Sequence, residues 1–126
     1  MKIDTLQLEV MQIIWENPDI TVTEIQSIFK KRNRHLAITT IGTILRRLES
    51  KGAVTHKSLG KKYIYSALID ELKVKRSMLS KITDQFYKGK SFDIVNHLID
   101  EDMLTSEEID LLQKKIIMLK KQGKWK

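Results

Sequence analysis

Cysteine is absent from the 126 residues, which excludes disulfide frameworks, thiolate zinc sites, CxxC redox chemistry and cysteine nucleophiles. A reducing compartment, the cytoplasm, is the expected location. Proline occurs once and glycine five times, leaving few breaks and favouring helices. Long apolar runs are also missing. The longest is Ile116 to Leu119, and the N-terminus carries Asp4 and Glu9, so neither a membrane span nor a signal peptide is expected. A Walker loop, GxSxG, HExxH and paired carboxylates in an apolar setting are absent too. The expectation is therefore a protein that is not an enzyme, with no cofactor and no resident metal.

What is present is ordinary globular composition, 41% hydrophobic and 31% charged, which argues against disorder throughout. The length suits one domain, or a small domain with an appendage. The net charge of +7 is unevenly spread. Residues 1–29 hold one base and five acids, whereas residues 30–62 hold ten bases against Glu49 alone. Nucleic acid is the polyanion such a basic block suits, with a merely solvated surface as the plain alternative. Residues 91–110 carry seven acids and no Lys or Arg, and residues 111–126 carry six Lys, so these stretches could pair within or between chains.

Hydrophobic periodicity orders the N-terminal part. Leu6, Val10, Ile13 and Ile14 predict a helix over 5–16, N-capped by Asp4 or Thr5 and ended at Asn17-Pro18-Asp19. Ile20, Thr21 and Val22 suit a short strand. Thr23 to Gln26 reads as a capping box opening a second helix to about Arg32, with Ile25, Ile28 and Phe29 inward. Ile41, Ile44, Leu45 and Leu48 mark a third helix, closed by Gly52. The period then drops to two: Ala53 to Lys57 and Tyr63 to Ser66 predict a hairpin around Ser58 to Lys62. Helix, strand, helix, helix, hairpin is the order of a winged helix-turn-helix, and the basic block falls on its third helix and wing.

Residues 1–69 are accordingly assigned to a winged-helix DNA-binding domain and 70–126 to a helical dimerisation domain, in a mostly α chain. The second segment offers three apolar stripes: Leu72, Leu79, Ile82 and Phe86; Phe92, Val95, Leu98 and Ile99; and Ile109, Leu112, Ile116 and Leu119, with Thr105 and Glu108 capping the last helix. Three short helices cannot bury such stripes by themselves, so self-association is expected, with packing back on their own domain as the alternative.

The strings Leu8-Glu9-Val10-Met11 and Ile13-Ile14-Trp15, then Thr40-Ile41-Gly42-Thr43-Ile44-Leu45-Arg46-Arg47-Leu48 running to Lys51-Gly52, the wing ending Tyr63-Ile64-Tyr65-Ser66, and Ser106-Glu107-Glu108-Ile109 resemble the penicillinase-repressor (BlaI/MecI-type) family over nearly the whole chain. The resemblance implies a homodimeric transcriptional repressor on inverted-repeat operators, typically with TACA and TGTA half-sites. It also implies release when an antibiotic-sensing membrane protease triggers cutting at an Asn-Phe bond in the C-terminal region. The matching dipeptide here is Asn96-His97. Two departures stand out: Gly42 replaces a longer side chain in the recognition helix, and the paired CxC motifs of the copper-responsive branch are missing.

Position on the third helix nominates Thr39, Thr40 and Thr43 for bases and Arg46 for the DNA backbone. Arg47 and Lys51 join them, with Arg47 pairing to a carboxylate such as Glu9 as an alternative. Lys61 and Lys62 at the wing tip are expected on phosphates, or simply solvated. Any one Thr could instead be a cap or surface filler. Asp93, His97 and Glu101 share one helical face, a possible metal face that reads better as a solvated acidic one. Trp15 is expected in the core and Trp125 in a fraying tail. A protein-interaction module that docks an acidic partner on the same scaffold is the competing function.

Overall fold

Asp4 sets the first helical turn: its carboxylate accepts from the Gln7 amide at 2.8 Å, while Gln7 Oε1 accepts from the Asp4 amide at 3.2 Å. Two otherwise orphaned donors are thus satisfied, and α1 runs over Thr5–Glu16 in the computed structural model, which describes residues 2–124. Trp125 lies outside the described residues. The backbone then turns at Asp19, with φ of +61°, into β1 (Ile20–Thr21) and directly into α2 (Val22–Lys31). The capping box of α2 is Thr21 with Glu24, not Thr23 with Gln26. Because the strand leads straight into the helix, Thr21 is the last extended residue. Gln26 is left free to donate to the Leu36 carbonyl at 3.0 Å, tying the turn after α2 to the helix body.

After that turn comes α3 (Ile38–Ser50). Lys51 ends the helix, and Gly52 takes the left-handed conformation, φ +79°, that favours glycine just past a helix terminus. β2 (Val54–Leu59) and β3 (Lys62–Ala67) form the wing, and β1 pairs with β3 to complete an antiparallel sheet of order β1-β3-β2. The wing turn is tighter than the five-residue loop expected from sequence. Leu59 pairs with Lys62, leaving only Gly60 and Lys61 between the strands. Gly60, at φ +63°, supplies the positive value a two-residue hairpin turn requires at its first position.

The core lies where these elements meet. Val10, Met11, Ile13 and Ile14 of α1, Ile25 and Phe29 of α2, and Ile41, Ile44, Leu45 and Leu48 of α3 are buried together with Ile20, Ala53, Val54 and Tyr65. Trp15 is half-buried against this cluster and donates its indole N–H to the Ile69 carbonyl at 3.0 Å, fastening the chain after the wing to α1.

Three more helices follow: α4 (Glu71–Phe86), α5 (Ser91–Asp100) and α6 (Ser106–Lys121). The chain divides into two compact units, Met1–Ser77 and Met78–Lys126, so α4 begins in one and ends in the other. In the second unit, the Thr83 hydroxyl donates back to the Leu79 carbonyl one turn earlier at 2.7 Å, and the Thr83 carbonyl accepts the Gly89 amide at 3.0 Å past the end of α4. Thr105 and Glu108 form the capping box of α6. Among the described residues, no helix is long and apolar enough to cross a membrane.

Candidate nucleic-acid interface

The recognition surface begins with a division of labour around α3. Its buried face, Ile41, Ile44, Leu45 and Leu48, recurs at spacings of three and four and locks the helix to the core. The opposite face carries Thr39, Thr40, Arg46 and Arg47, all exposed, with Thr43 half-buried between them. These side chains are not independent. Thr43 Oγ1 donates to the Thr39 carbonyl at 3.0 Å and accepts from Arg46 Nη2 at 3.2 Å. A methyl and a guanidinium are thereby held on one line along the helix.

The turn that aims α3 is fixed by ionic and aromatic contacts. Asn33 adopts φ +59°, and the Arg34 amide donates back to the Phe29 carbonyl at 2.9 Å. Arg34 lies 5.7 Å from the centre of the Phe29 ring and pairs with Glu9. That hydrogen bond and charge raise the Arg34 guanidinium above its ordinary value. Glu9 is therefore taken by Arg34, not by Arg47 as the sequence had allowed. Arg47 instead shares an open depression of 470 Å³ with Arg46, Thr43, Ser50, Lys51 and Gln7.

Lys51 has a structural tie. Its ammonium donates to the Lys2 carbonyl at 2.6 Å and to Gln7 Oε1 at 2.7 Å, giving the oxygen of this buried glutamine a second donor beside the Asp4 amide. Sequence reasoning missed Gln7 because a polar residue on an apolar stripe gives no pattern. Lys61 and Lys62 stand exposed at the wing tip beside Leu59.

Between α3 and the wing runs a groove of 590 Å³. Its floor is Gly42, beside which a side chain would meet nothing within 4 Å, and its walls include Arg46, Glu49, His56 and Tyr63. His56 Nδ1 is 2.6 Å from Glu49 Oε1. The imidazole packs on Tyr63 at 4.6 Å and Tyr65 at 5.5 Å between ring centres. Burial raises the Tyr65 phenol above its ordinary value, Glu49 and Tyr63 add to the rise, and Arg46 opposes it. Glu49, His56 and the tyrosines were absent from the sequence-predicted set. The hairpin register, which puts His56 opposite Tyr65, is the signal that could have found them.

The second unit presents a different surface. Leu79, Ile82, Phe86, Phe92, Val95 and Ile116 are exposed, while Leu98, Ile109, Leu112 and Leu119 are half-buried. On α6 the exposed apolar residues are chiefly Leu111, Ile117 and Met118, a face that the expected seam did not include. The acids of 91–110 and the lysines of 111–126 make no ion pair with one another among the described residues. Asn96 and His97 are exposed inside α5. The Tyr87 hydroxyl is 2.9 Å from His97 Nδ1, and Glu101 lies 3.7 Å from Nε2. The Asp93 carboxylate forms no hydrogen bond or ion pair with His97 or Glu101, and among the described residues no cluster suited to a metal ion forms.

Comparison with known proteins gives the chain its relatives. A sequence model described as "Penicillinase repressor" matches residues 3–117. The chain is 32% identical over 111 residues to the penicillinase repressor of Bacillus licheniformis, covering 88% of this chain and 86% of that one. It is 27% identical over 112 residues to the methicillin resistance regulatory protein MecI of Mammaliicoccus sciuri, covering 89% and 90%. The solution structure of the DNA-binding domain of the repressor BlaI superposes with a TM-score of 0.50 at 36% identity, over 56% of this chain and 84% of that domain.

Proposed function

The chain belongs to the penicillinase repressor family, and from that premise we propose that it is a homodimeric DNA-binding repressor that occupies an inverted-repeat operator and blocks transcription in the cytoplasm. The observation that carries this reading is the free face of α3, where Thr39, Thr40, Thr43, Arg46 and Arg47 stand opposite the buried face. A helix so anchored can enter a major groove with its N-terminal threonines at base edges and thymine methyls, and its arginines at or beside the backbone. Lys61 and Lys62 extend the same surface to flanking phosphates. Lys51, already bonded to Lys2 and Gln7, contributes positive field more than a free hand.

The second unit supports the dimeric part of this reading. Its apolar side chains on α4, α5 and α6 have no interior to enter, and a second copy supplies one. Two recognition helices then meet half-sites about one helical turn apart, or a multiple of that. Severing the dimerising segment would release DNA by forfeiting the effective concentration that each half lends the other. The Asn96–His97 bond is inside α5, so a protease must unwind that helix to reach it, and His97 offers a polar ring where the family's site has Phe.

Duplex binding in a salt series is the direct test. With six or more phosphates neutralised, affinity falls by ~10³ or more between about 50 and 200 mM salt. Salt-insensitive binding, or retention of acidic protein in preference to duplex DNA, would instead favour a protein-docking role. Mass spectrometry of the chain during derepression tests the proteolytic route: cut chains support it, and full-length chains throughout exclude it.

A further inference from the structure

We propose that the groove between α3 and the wing seats one backbone phosphate of the duplex, with His56 as donor and Glu49 as its positioning residue, so that binding tightens as pH falls. This rests on the DNA-binding reading and adds to it a contact and a regulation.

Four observations lead there. First, Glu49 is the single acid in the basic stretch 30–62, and it is not solvated at random but joined to His56 at 2.6 Å across the gap between helix and wing. Second, a carboxylate can only accept, so the Nδ1 that meets Glu49 carries the proton. The remaining ring nitrogen, Nε2, is then a bare lone pair in the neutral imidazole and an N–H in the imidazolium. Third, the ring is held against Tyr63 and Tyr65, which leaves little freedom to turn away. Fourth, the groove beside it is lined by Gly42, at which even a Cβ would meet nothing within 4 Å, and Arg46 lies on its wall.

The charges facing His56 decide the sign. From α3 these are Glu49 and Arg46, from β3 the phenols of Tyr63 and Tyr65, and from α2 only the apolar Val22 lines the groove. With neutral His56, the negative Glu49 offsets Arg46, and the lone pair on Nε2 repels a phosphate oxygen. Protonation cancels the Glu49 charge and turns Nε2 into a donor beside Arg46. A phosphate in the groove therefore favours the protonated ring, and binding takes up a proton. By linkage, affinity rises as pH falls.

The experiment measures binding of the full-length chain to a duplex of random sequence, since a backbone contact is sequence-independent, from about pH 8 to about pH 5 and at several salt concentrations. The parent should gain up to about tenfold in affinity per pH unit fall per seat. His56→Gln should flatten that dependence and lower the salt slope by about 0.9 per protomer. Glu49→Gln should bind roughly threefold or more tightly than the parent near pH 8, because the opposing charge is gone, with a weaker pH response. A merely structural Glu49 would instead lose affinity at every pH. His35→Gln, in the same basic stretch, should keep the parental profile. Duplex binding with the parental pH and salt profile in His56→Gln, or a flattened profile in His35→Gln, would overturn the proposal and leave the repressor reading standing. A parent that binds no duplex at any pH or salt would overturn both.

Discussion

The two compact units solve the burial problem in opposite ways. In residues 1–77, fourteen hydrophobic side chains are buried around α1, α2 and α3, whereas in 78–126 no hydrophobic side chain is buried among the described residues and Thr83 alone is. Yet the second unit is no less helical and no less apolar in pattern. Phe86 and Phe92 are 76% and 73% exposed, while Phe29 is fully buried. Helical periodicity therefore says where apolar faces are, not what covers them. A helix gains most of its stability from the face it buries, and the second unit has such faces without an interior.

The sharpest way to break this comparison is to separate the units. A chain ending at Ser77 should stay folded, because its core is complete without the remainder, but should sediment as a monomer. Its affinity for a paired-site duplex should fall by ~10² to 10⁴, the gain that linked binding confers. Intact dimers after truncation would move the interface into the first unit. Loss of folding would show that the core of 1–77 depends on the rest.

A phenylalanine exchange sharpens the contrast. Phe29→Ala empties a fully buried position and should cost about 3–5 kcal/mol in the stability of the first unit, seen as a lower unfolding midpoint whatever the protein concentration. Phe86→Ala removes a ring that the single chain leaves exposed. It should leave that midpoint unchanged and raise the dimer dissociation constant, which makes the melting of the second unit more concentration-dependent. If both variants lowered only the concentration-independent midpoint, the second unit would have an interior of its own.

How far the sequence reveals each region follows the same line. The elements of the first unit are legible because their apolar spacing, Ile41 to Leu48 for instance, is both pattern and core. The corrections fall where local chemistry competes: Thr21 displaces Thr23 as the cap because a strand abuts the helix, and cross-strand pairing of Leu59 with Lys62 shortens the wing turn. Long-range polar pairs were hidden. Nothing local joins Lys51 to Lys2, or Arg34 to Glu9, and the sequence offered Glu9 to Arg47 instead. The Glu49–His56 pair is separated by a helix end and a strand start. On α6 the spacing selected Ile109, Leu112, Ile116 and Leu119, but Leu111, Ile117 and Met118 are the residues more fully exposed, because more than one side of that helix is apolar.

The smallest expected effect uses one chemistry in both places. Thr21 with Glu24 and Thr105 with Glu108 are the same capping box, each with a threonine hydroxyl accepting from the glutamate amide, at 3.2 and 3.1 Å. Replacing either threonine by alanine should cost ~1 kcal/mol of helix stability. In Thr21→Ala that loss falls on α2, which a finished core already holds, so it should appear as a small drop in the unfolding midpoint of the first unit and leave dimerisation alone. In Thr105→Ala it falls on α6, which has no buried residue. If α6 gains its packing from a second chain, the helix is ordered by association, and the same loss enters the dimer equilibrium once per chain. A cost of ~2 kcal/mol per dimer raises the dissociation constant by roughly 30-fold, measurable by sedimentation equilibrium. Equal dissociation constants for parent and Thr105→Ala would mean that α6 is fully formed in the monomer, and the seam would then have to lie on α4 and α5.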